Sequence, residues 1–115
     1  MSISDAEAVV QRQLDAYNDH DLERIVQEYA EYIPIYRLPN PAPSMQGRQA
    51  LSEFYAANRF NRPNLHAHIA GRLVFGNKVI DHEQITGIED GVLELAAIYE
   101  VVDGKIKTVQ FVSAA

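Results

Sequence analysis

The stretch Lys78-Val-Ile-Asp-His-Glu-Gln-Ile-Thr-Gly87 reads as a strand, yet it carries Asp81, His82 and Glu83 at its centre. Acidic residues are poor strand formers, so this strand either shows one face to water or uses its acids in a pocket. Asp81 and Glu83 are two apart and therefore share a face, while His82 points the other way. A carboxylate in a largely apolar pocket has its pKa raised by desolvation, which makes a general acid or base near neutral pH. Around that pair, His66 and His68 are placed to relay a proton or orient a carboxylate. Tyr17 and Tyr99 are suited to donate hydrogen bonds to a carbonyl or enolate oxygen. The catalytic candidates are Glu83, Asp81, His66 and Tyr17, with Tyr99, Arg37, Tyr36, His68, Arg72, Phe54 and Gln110 as substrate-binding candidates. The His and acid residues show no His-Glu-x-x-His or similar spacing, so no metal and no other cofactor is expected.

The totals narrow the class of molecule. At 115 residues, with 47% hydrophobic and 23% charged residues, the chain suits one domain with one core. Without cysteine there is no disulfide, thiolate nucleophile or Cys-ligated metal, which is compatible with a reducing cytoplasm. The N-terminus lacks the basic and apolar regions of a signal peptide, and no apolar run approaches the roughly 20 residues needed to span a bilayer. A cytoplasmic protein is expected. The formal charge of −6, with scattered basic residues, disfavours nucleic acid or an anionic membrane as partner.

Three helices precede the strands. Ser4-Asp-Ala-Glu7 fits a capping box, and Ala6, Val9, Val10, Leu14 and Tyr17 then recur at helical spacing from about residue 5 to 18. Asn18-Asp-His-Asp21 breaks the pattern and offers a new N-cap, after which Leu22, Ile25, Val26, Tyr29 and Ile33 restart it. Pro34 ends that helix and makes Ile35-Tyr36-Arg37 a short edge strand. From Gly47, the residues Ala50, Leu51, Phe54 and Tyr55 describe a third helix ending near Asn58, and everything beyond Pro63 looks like a β-meander.

Turn chemistry sets an expected register. Tight turns at Gly76-Asn77 and Asp103-Gly104 pair Val74 with Val79, Arg72 with Asp81, Ala70 with Glu83 and His68 with Ile85, and then Val101 with Ile106, Tyr99 with Thr108, Ala97 with Gln110 and Leu95 with Val112. A three-residue loop at Glu89-Asp-Gly91 pairs Ile85 with Leu95, Glu83 with Ala97 and Asp81 with Tyr99. A two-residue turn at Asp90-Gly91 would instead set Asp81 against Glu100, acid on acid, which is unfavourable. His66, His68, Arg72, Asp81, Glu83, Tyr99, Thr108 and Gln110 then share one face. The competing reading leaves that face in water, with Ile69, Leu73 and Ile80 in the core, or makes Arg72 with Asp81 a structural pair. The reverse face, with Ile80, Ile98, Val109 and Phe111, is too apolar to be purely solvated and is expected to bind a second copy.

Val9-Val-Gln-Arg-Gln-Leu-Asp-Ala-Tyr-Asn18, Gly47-Arg-Gln-Ala-Leu51 and Tyr99-Glu-Val-Val-Asp-Gly-Lys-Ile106, with the junction Tyr17-Asn-Asp-His-Asp-Leu22, resemble the nuclear-transport-factor-2-like superfamily, which includes the SnoaL-like cyclases and ketosteroid isomerase. The resemblance covers nearly the whole chain. It implies an α+β cystatin-like cone, with three N-terminal helices packed on a curved antiparallel sheet, and a small-molecule ligand in the cone. The isomerase mechanism uses an Asp base beside a Tyr and a protonated Asp. By that resemblance Gln13 stands where the isomerase has its Tyr, Arg37 where the base Asp would be and Ala97 where the protonated Asp would be, so the set is missing. What it implies instead is that Ala97, Tyr99 and Val101 look into the cone; the pairing of Arg72 with Asp81 then leaves Glu83, opposite small Ala97, as the preferred acid/base. The expectation is an isomerase-, dehydratase- or hydrolase-type enzyme acting on a compact, apolar, oxygen-bearing molecule. The alternatives are a non-catalytic ligand-binding or dimerisation module and a protein-partner adaptor.

Overall fold

The computed structural model describes residues 5–114. Ser4, and with it the expected capping box, lies outside the described residues. Helix α1 runs Asp5–Asn18, α2 Leu22–Gln27 and α3 Arg48–Asn58, and the strands are β1 Pro34–Arg37, β2 Met45–Gln46, β3 His66–Phe75, β4 Lys78–Thr86, β5 Leu93–Val102 and β6 Lys105–Ser113. They form one sheet in the order β2-β1-β6-β5-β4-β3. The helices cover one face of this curved sheet in an α+β cystatin-like arrangement. None of the described helices is long and apolar enough to cross a membrane.

Each helix begins and ends for a local reason. Asp21 caps α2, its carboxylate accepting from the Arg24 amide at 3.1 Å. That helix was expected to continue through Tyr29 to Ile33 but stops at Gln27, because the next residues already pair with β6. Ile106 donates its amide to the Glu28 carbonyl at 2.8 Å, and Ala30 donates to the Ile106 carbonyl at 2.9 Å. The same approach corrects the expected edge strand. β1 lies between β2 and β6 and runs parallel to β6, so the sheet is mixed rather than wholly antiparallel. Val10, Ile25, Ile33 and Ile106 are fully buried between helices and sheet, each stabilising the docking by about 1.5–3 kcal/mol.

Two bulges correct the expected register. Val74 opposite Val79 and Arg72 opposite Asp81 are as the turn predicts, but a shift between Ile69 and Gly71 then sets Ile69, not Ala70, against Glu83 and Ala67 against Ile85. On β6 the pairing moves between Glu100 and Val101, so Tyr99 faces Val109 and Ala97 faces Phe111. An odd shift exchanges the two faces of a strand. His66, His68, Thr108 and Gln110 therefore leave the inner face, and Ala67, Val109 and Phe111 take it. The β4–β5 connection errs differently, pairing Ile85 with Leu93, Glu83 with Leu95 and Asp81 with Ala97. That offset is two residues, an even number, so Asp81, Glu83 and Tyr99 keep the inner face.

The cone is closed at one end by side chains that tie helix to sheet. Asn18 donates to the Ala67 carbonyl at 3.0 Å and accepts the Ala67 amide at 2.8 Å, fixing the end of α1 on the outermost strand β3. Beside it Gly87, at φ +88°, comes so close to the Asn64 carbonyl that an added Cβ would stand 2.2 Å from its oxygen. Gly87→Ala is expected to lower stability by about 2 kcal/mol through backbone strain and overpacking, read as an earlier midpoint in urea. An unchanged midpoint would mean this contact yields freely.

Candidate functional site

Between helices and sheet lies a cavity of about 180 Å³. Its wall is largely apolar, drawn from Leu14, Leu51, Phe54, Ile85, Leu95 and Phe111 among others. Three charged residues line it, Glu83, Arg37 and Arg59. Glu83 is 7% exposed. Alternation along β4 buries Val79, Asp81, Glu83 and Ile85 and turns Lys78, His82 and Thr86 outward, which decides the strand's ambiguity in favour of the inner face.

The two acids on that face differ in their surroundings. Asp81, 1% exposed, is gripped by Arg72 through Nε to Oδ1 at 2.7 Å and Nη2 to Oδ2 at 3.0 Å, and it does not line the cavity. Arg72 also donates to Gln11 Oε1 at 2.8 Å. Glu83 has no such cation. The Tyr99 hydroxyl donates to its Oε2 at 3.0 Å. Burial pushes the Glu83 carboxyl up to about 7, with the negative charge of Asp81 adding to the rise and the Tyr99 hydrogen bond and the Arg72 charge opposing it.

Tyrosines surround this carboxyl. Tyr17, Tyr29, Tyr55 and Tyr99 are all buried, and burial raises the pKa of every one. The Glu83 charge adds to each rise, which puts the carboxyl within electrostatic reach of four phenols. Tyr55 is pushed up to about 12 by its burial, against the hydrogen bond from Tyr29. Tyr17 lines the cavity edge-on to Tyr55 and Phe60. Its buried hydroxyl has no well-formed hydrogen bond among the described residues, although the nearby Arg59 guanidinium offsets part of the burial effect. With the Arg59 guanidinium beside its oxygen, the hydroxyl still keeps its own proton for an oxygen that enters the cavity.

The residues singled out from sequence divide cleanly. Glu83, Tyr17, Tyr99, Arg37 and Phe54 line the cavity. His66 and His68 are exposed, turned outward by the β3 bulge, and neither reaches Glu83. Tyr36 and Gln110 are neighbours on the reverse face, where they border a shallow groove with Ile98 and Thr108. Val109 is buried and Phe111 lines the cavity, which removes both from the expected dimer surface and leaves Ile80 and Ile98 on it. His82 is exposed and pairs with Glu94. Sequence reasoning set Gln13 at the position of the isomerase's Tyr without counting it among the site candidates, and missed Arg59. Gln13 falls on the buried stripe of α1 at the same spacing as Val10 and Tyr17, so periodicity alone could have found it. Arg59 follows α3 directly and lies over the Phe54 ring, 5.0 Å from its centroid.

This arrangement, an acid at the inner wall of an apolar cone built by helices and a curved sheet, can be compared with known proteins. A family model described as a SnoaL-like domain matches residues 10–109. The chain belongs to the SnoaL-like family. Among solved structures, this SnoaL-like chain is similar to an uncharacterised cystatin-fold protein from Novosphingobium aromaticivorans, at 21% identity, 96% and 98% coverage of the two chains and a TM-score of 0.82. A candidate ketosteroid isomerase from Kribbella flavida matches at 20% identity over 96% and 78%, with a TM-score of 0.80. A candidate polyketide cyclase from Sinorhizobium meliloti matches at 18% identity over 95% and 99%, with a TM-score of 0.76. No curated protein matches the sequence. At these identities the structural likeness establishes the SnoaL-like fold alone.

Proposed function

We propose that this SnoaL-like protein is an acid/base enzyme that moves a proton on a compact, mostly apolar, oxygen-bearing molecule, in an isomerisation, dehydration or hydrolysis. The observation that carries the reading is Glu83, buried at the cavity wall, held by Tyr99 and poised to titrate at about 7. A general acid or base works best with its pKa near the working pH. Glu83 takes or gives the proton, and Tyr17, whose hydroxyl lacks a well-formed partner, donates to the oxygen on which charge develops. Asp81 and Arg72 sit behind it and set the local charge. The outer face around Ile80, Ala96 and Ile98 is the surface on which a second copy would dock.

One feature favours a second reading, a ligand-binding module without turnover. The positions where the resemblance sets the isomerase's Asp, Tyr and Asp hold Arg37, Gln13 and Ala97. The two readings separate in an exchange experiment. Small enolisable ketones such as 1-indanone and 2-cyclohexenone are incubated with the protein in D2O and their carbon-bound protons followed by NMR. Exchange above buffer is expected, with an apparent pKa near 7, and Glu83→Gln is expected to slow it about 10²- to 10⁴-fold. Saturable binding of these ketones with exchange at the buffer rate would sink the enzyme reading and leave the binding module.

A further inference from the structure

We propose that the cavity selects small monocarboxylates, holding the carboxylate between Arg37 and Arg59 at its mouth while the apolar body extends inward. This deepens the reading above and rests on it, since it names the ligand class of the same cavity. Arg12, Arg24, Arg72 and Lys78 each face a carboxylate, and Arg48, Arg62 and Lys105 donate to backbone carbonyls of other segments. Arg37, Arg59 and the exposed Lys107 do neither, and of these only the two arginines line the cavity. Among the described residues no carboxylate lies within ion-pair distance of the two arginines, and Arg59 meets only uncharged acceptors, the carbonyl of its neighbour Asn58 at 3.0 Å and the nearby Tyr17 hydroxyl. In a chain with sixteen acidic and ten basic residues, two uncompensated guanidiniums on one cavity are poorly explained as structural.

Their setting favours an anion. Each guanidinium lies over an aromatic ring of the cavity, Arg37 at 5.9 Å from the Phe111 centroid and Arg59 at 5.0 Å from that of Phe54. A guanidinium over a ring keeps its N–H groups at the rim, so Arg37 and the donors of Arg59 not already used by Asn58 can meet the two oxygens of a carboxylate. Arg37, Arg59 and Glu83 line the same cavity and all three act on the Tyr55 hydroxyl, while neither cation is among the charges acting on Glu83. Arg37 is exposed while Glu83 is buried, which gives the cavity a cationic mouth and an acidic interior. A dicarboxylate would force a second charge into the apolar wall, so one carboxylate and an uncharged body fit best.

The test compares 4-phenylbutanoate with 4-phenylbutanamide by isothermal titration at pH 6, where Glu83 is mostly protonated and does not repel the probe. The carboxylate is expected to bind at least about tenfold tighter than the amide and to lose part of that preference in 0.5 M NaCl. Arg37→Gln and Arg59→Gln are each expected to weaken the carboxylate several-fold while leaving the amide unchanged. Arg37→Lys and Arg59→Lys should retain part of the preference, which distinguishes lost charge from lost folding. Equal affinities, no binding of the carboxylate, or a preference that survives Arg37→Gln with Arg59→Gln would each overturn the proposal. Glu83→Gln is expected to keep the preference, and a parent protein that selects the carboxylate but exchanges no carbon-bound protons above buffer would fault only the catalytic reading.

Discussion

Replacing Arg72 by alanine is expected to lower the stability of the protein by about 3–5 kcal/mol, the usual consequence of stripping one partner from a buried ion pair. The large value comes from what stays behind. Asp81 is 1% exposed and takes both of its close charge-assisted bonds from the one guanidinium, so its carboxylate would remain out of water with no cation beside it. The next acid on that face is Glu83, which Asp81 already pushes upward and Arg72 holds down. Arg72→Ala therefore has a second expected effect, an upward displacement of the Glu83 titration from about 7. Adding Asp81→Asn removes the stranded charge and should return part of the lost stability, an interaction energy that a double-mutant cycle in urea reads directly. A loss below about 1 kcal/mol in Arg72→Ala, in the range of exposed pairs, would show that water reaches Asp81 and that the pair is no anchor of the inner face.

How much of this was legible in the sequence follows from the parity of each error. The periodicity of Ala6, Val9, Val10 and Tyr17 located α1, and Gly47 with Leu51 and Tyr55 located α3, because a buried stripe on a helix repeats over several turns and tolerates local noise. The Arg72 to Asp81 pairing was legible because it lies close to a tight turn, before any irregularity can intervene. Beyond Ala70 and Lys107 the register failed: Gly71 inside β3 is a bulge signal that a register counted from the turn alone passes over, whereas Ile106-Lys-Thr108 carries no distinctive residue type. Those two insertions account for the misplacement of His66, His68, Gln110, Val109 and Phe111. Arg59 was illegible for another reason: it reaches the cavity that Arg37 also lines only through the tertiary placement of α3, and no local pattern carries that information. Tyr36 was placed on the cavity together with Arg37, although adjacent strand residues face opposite ways, and the structure puts it with Gln110 on the outer face.

Glu83 should make the protein less stable as the pH rises, the reverse of what an ion-paired carboxylate does. Its carboxyl titrates at about 7 in the folded chain against 4.5 for the free group, so between those values the native state binds more protons than the unfolded one. Stability is then lost progressively from about pH 4.5 to 7 and stays lost above, by about 3 kcal/mol in all at 1.36 kcal/mol per unit. Below pH 4.5 both states carry the proton and the effect vanishes. Glu83→Gln keeps an oxygen for the Tyr99 hydroxyl to donate to but cannot ionise. Its stability should match the parent at pH 4, exceed it by about 2–3 kcal/mol at pH 8, and lack the part of the slope that Glu83 adds between. Urea titrations of both proteins at pH 4, 6 and 8 measure this, and curves that run parallel at all three values would mean that Glu83 ionises without hindrance, removing the ground for a neutral-pH acid/base group. If the curves diverge as expected, the chain carries a carboxyl that weakens its own fold at neutral pH where the uncharged amide would not, while Asp81, two residues away, is neutralised by Arg72. That contrast between neighbouring acids is what a site for proton transfer requires: one group tied to a cation, the other left without one and close to neutrality in its titration.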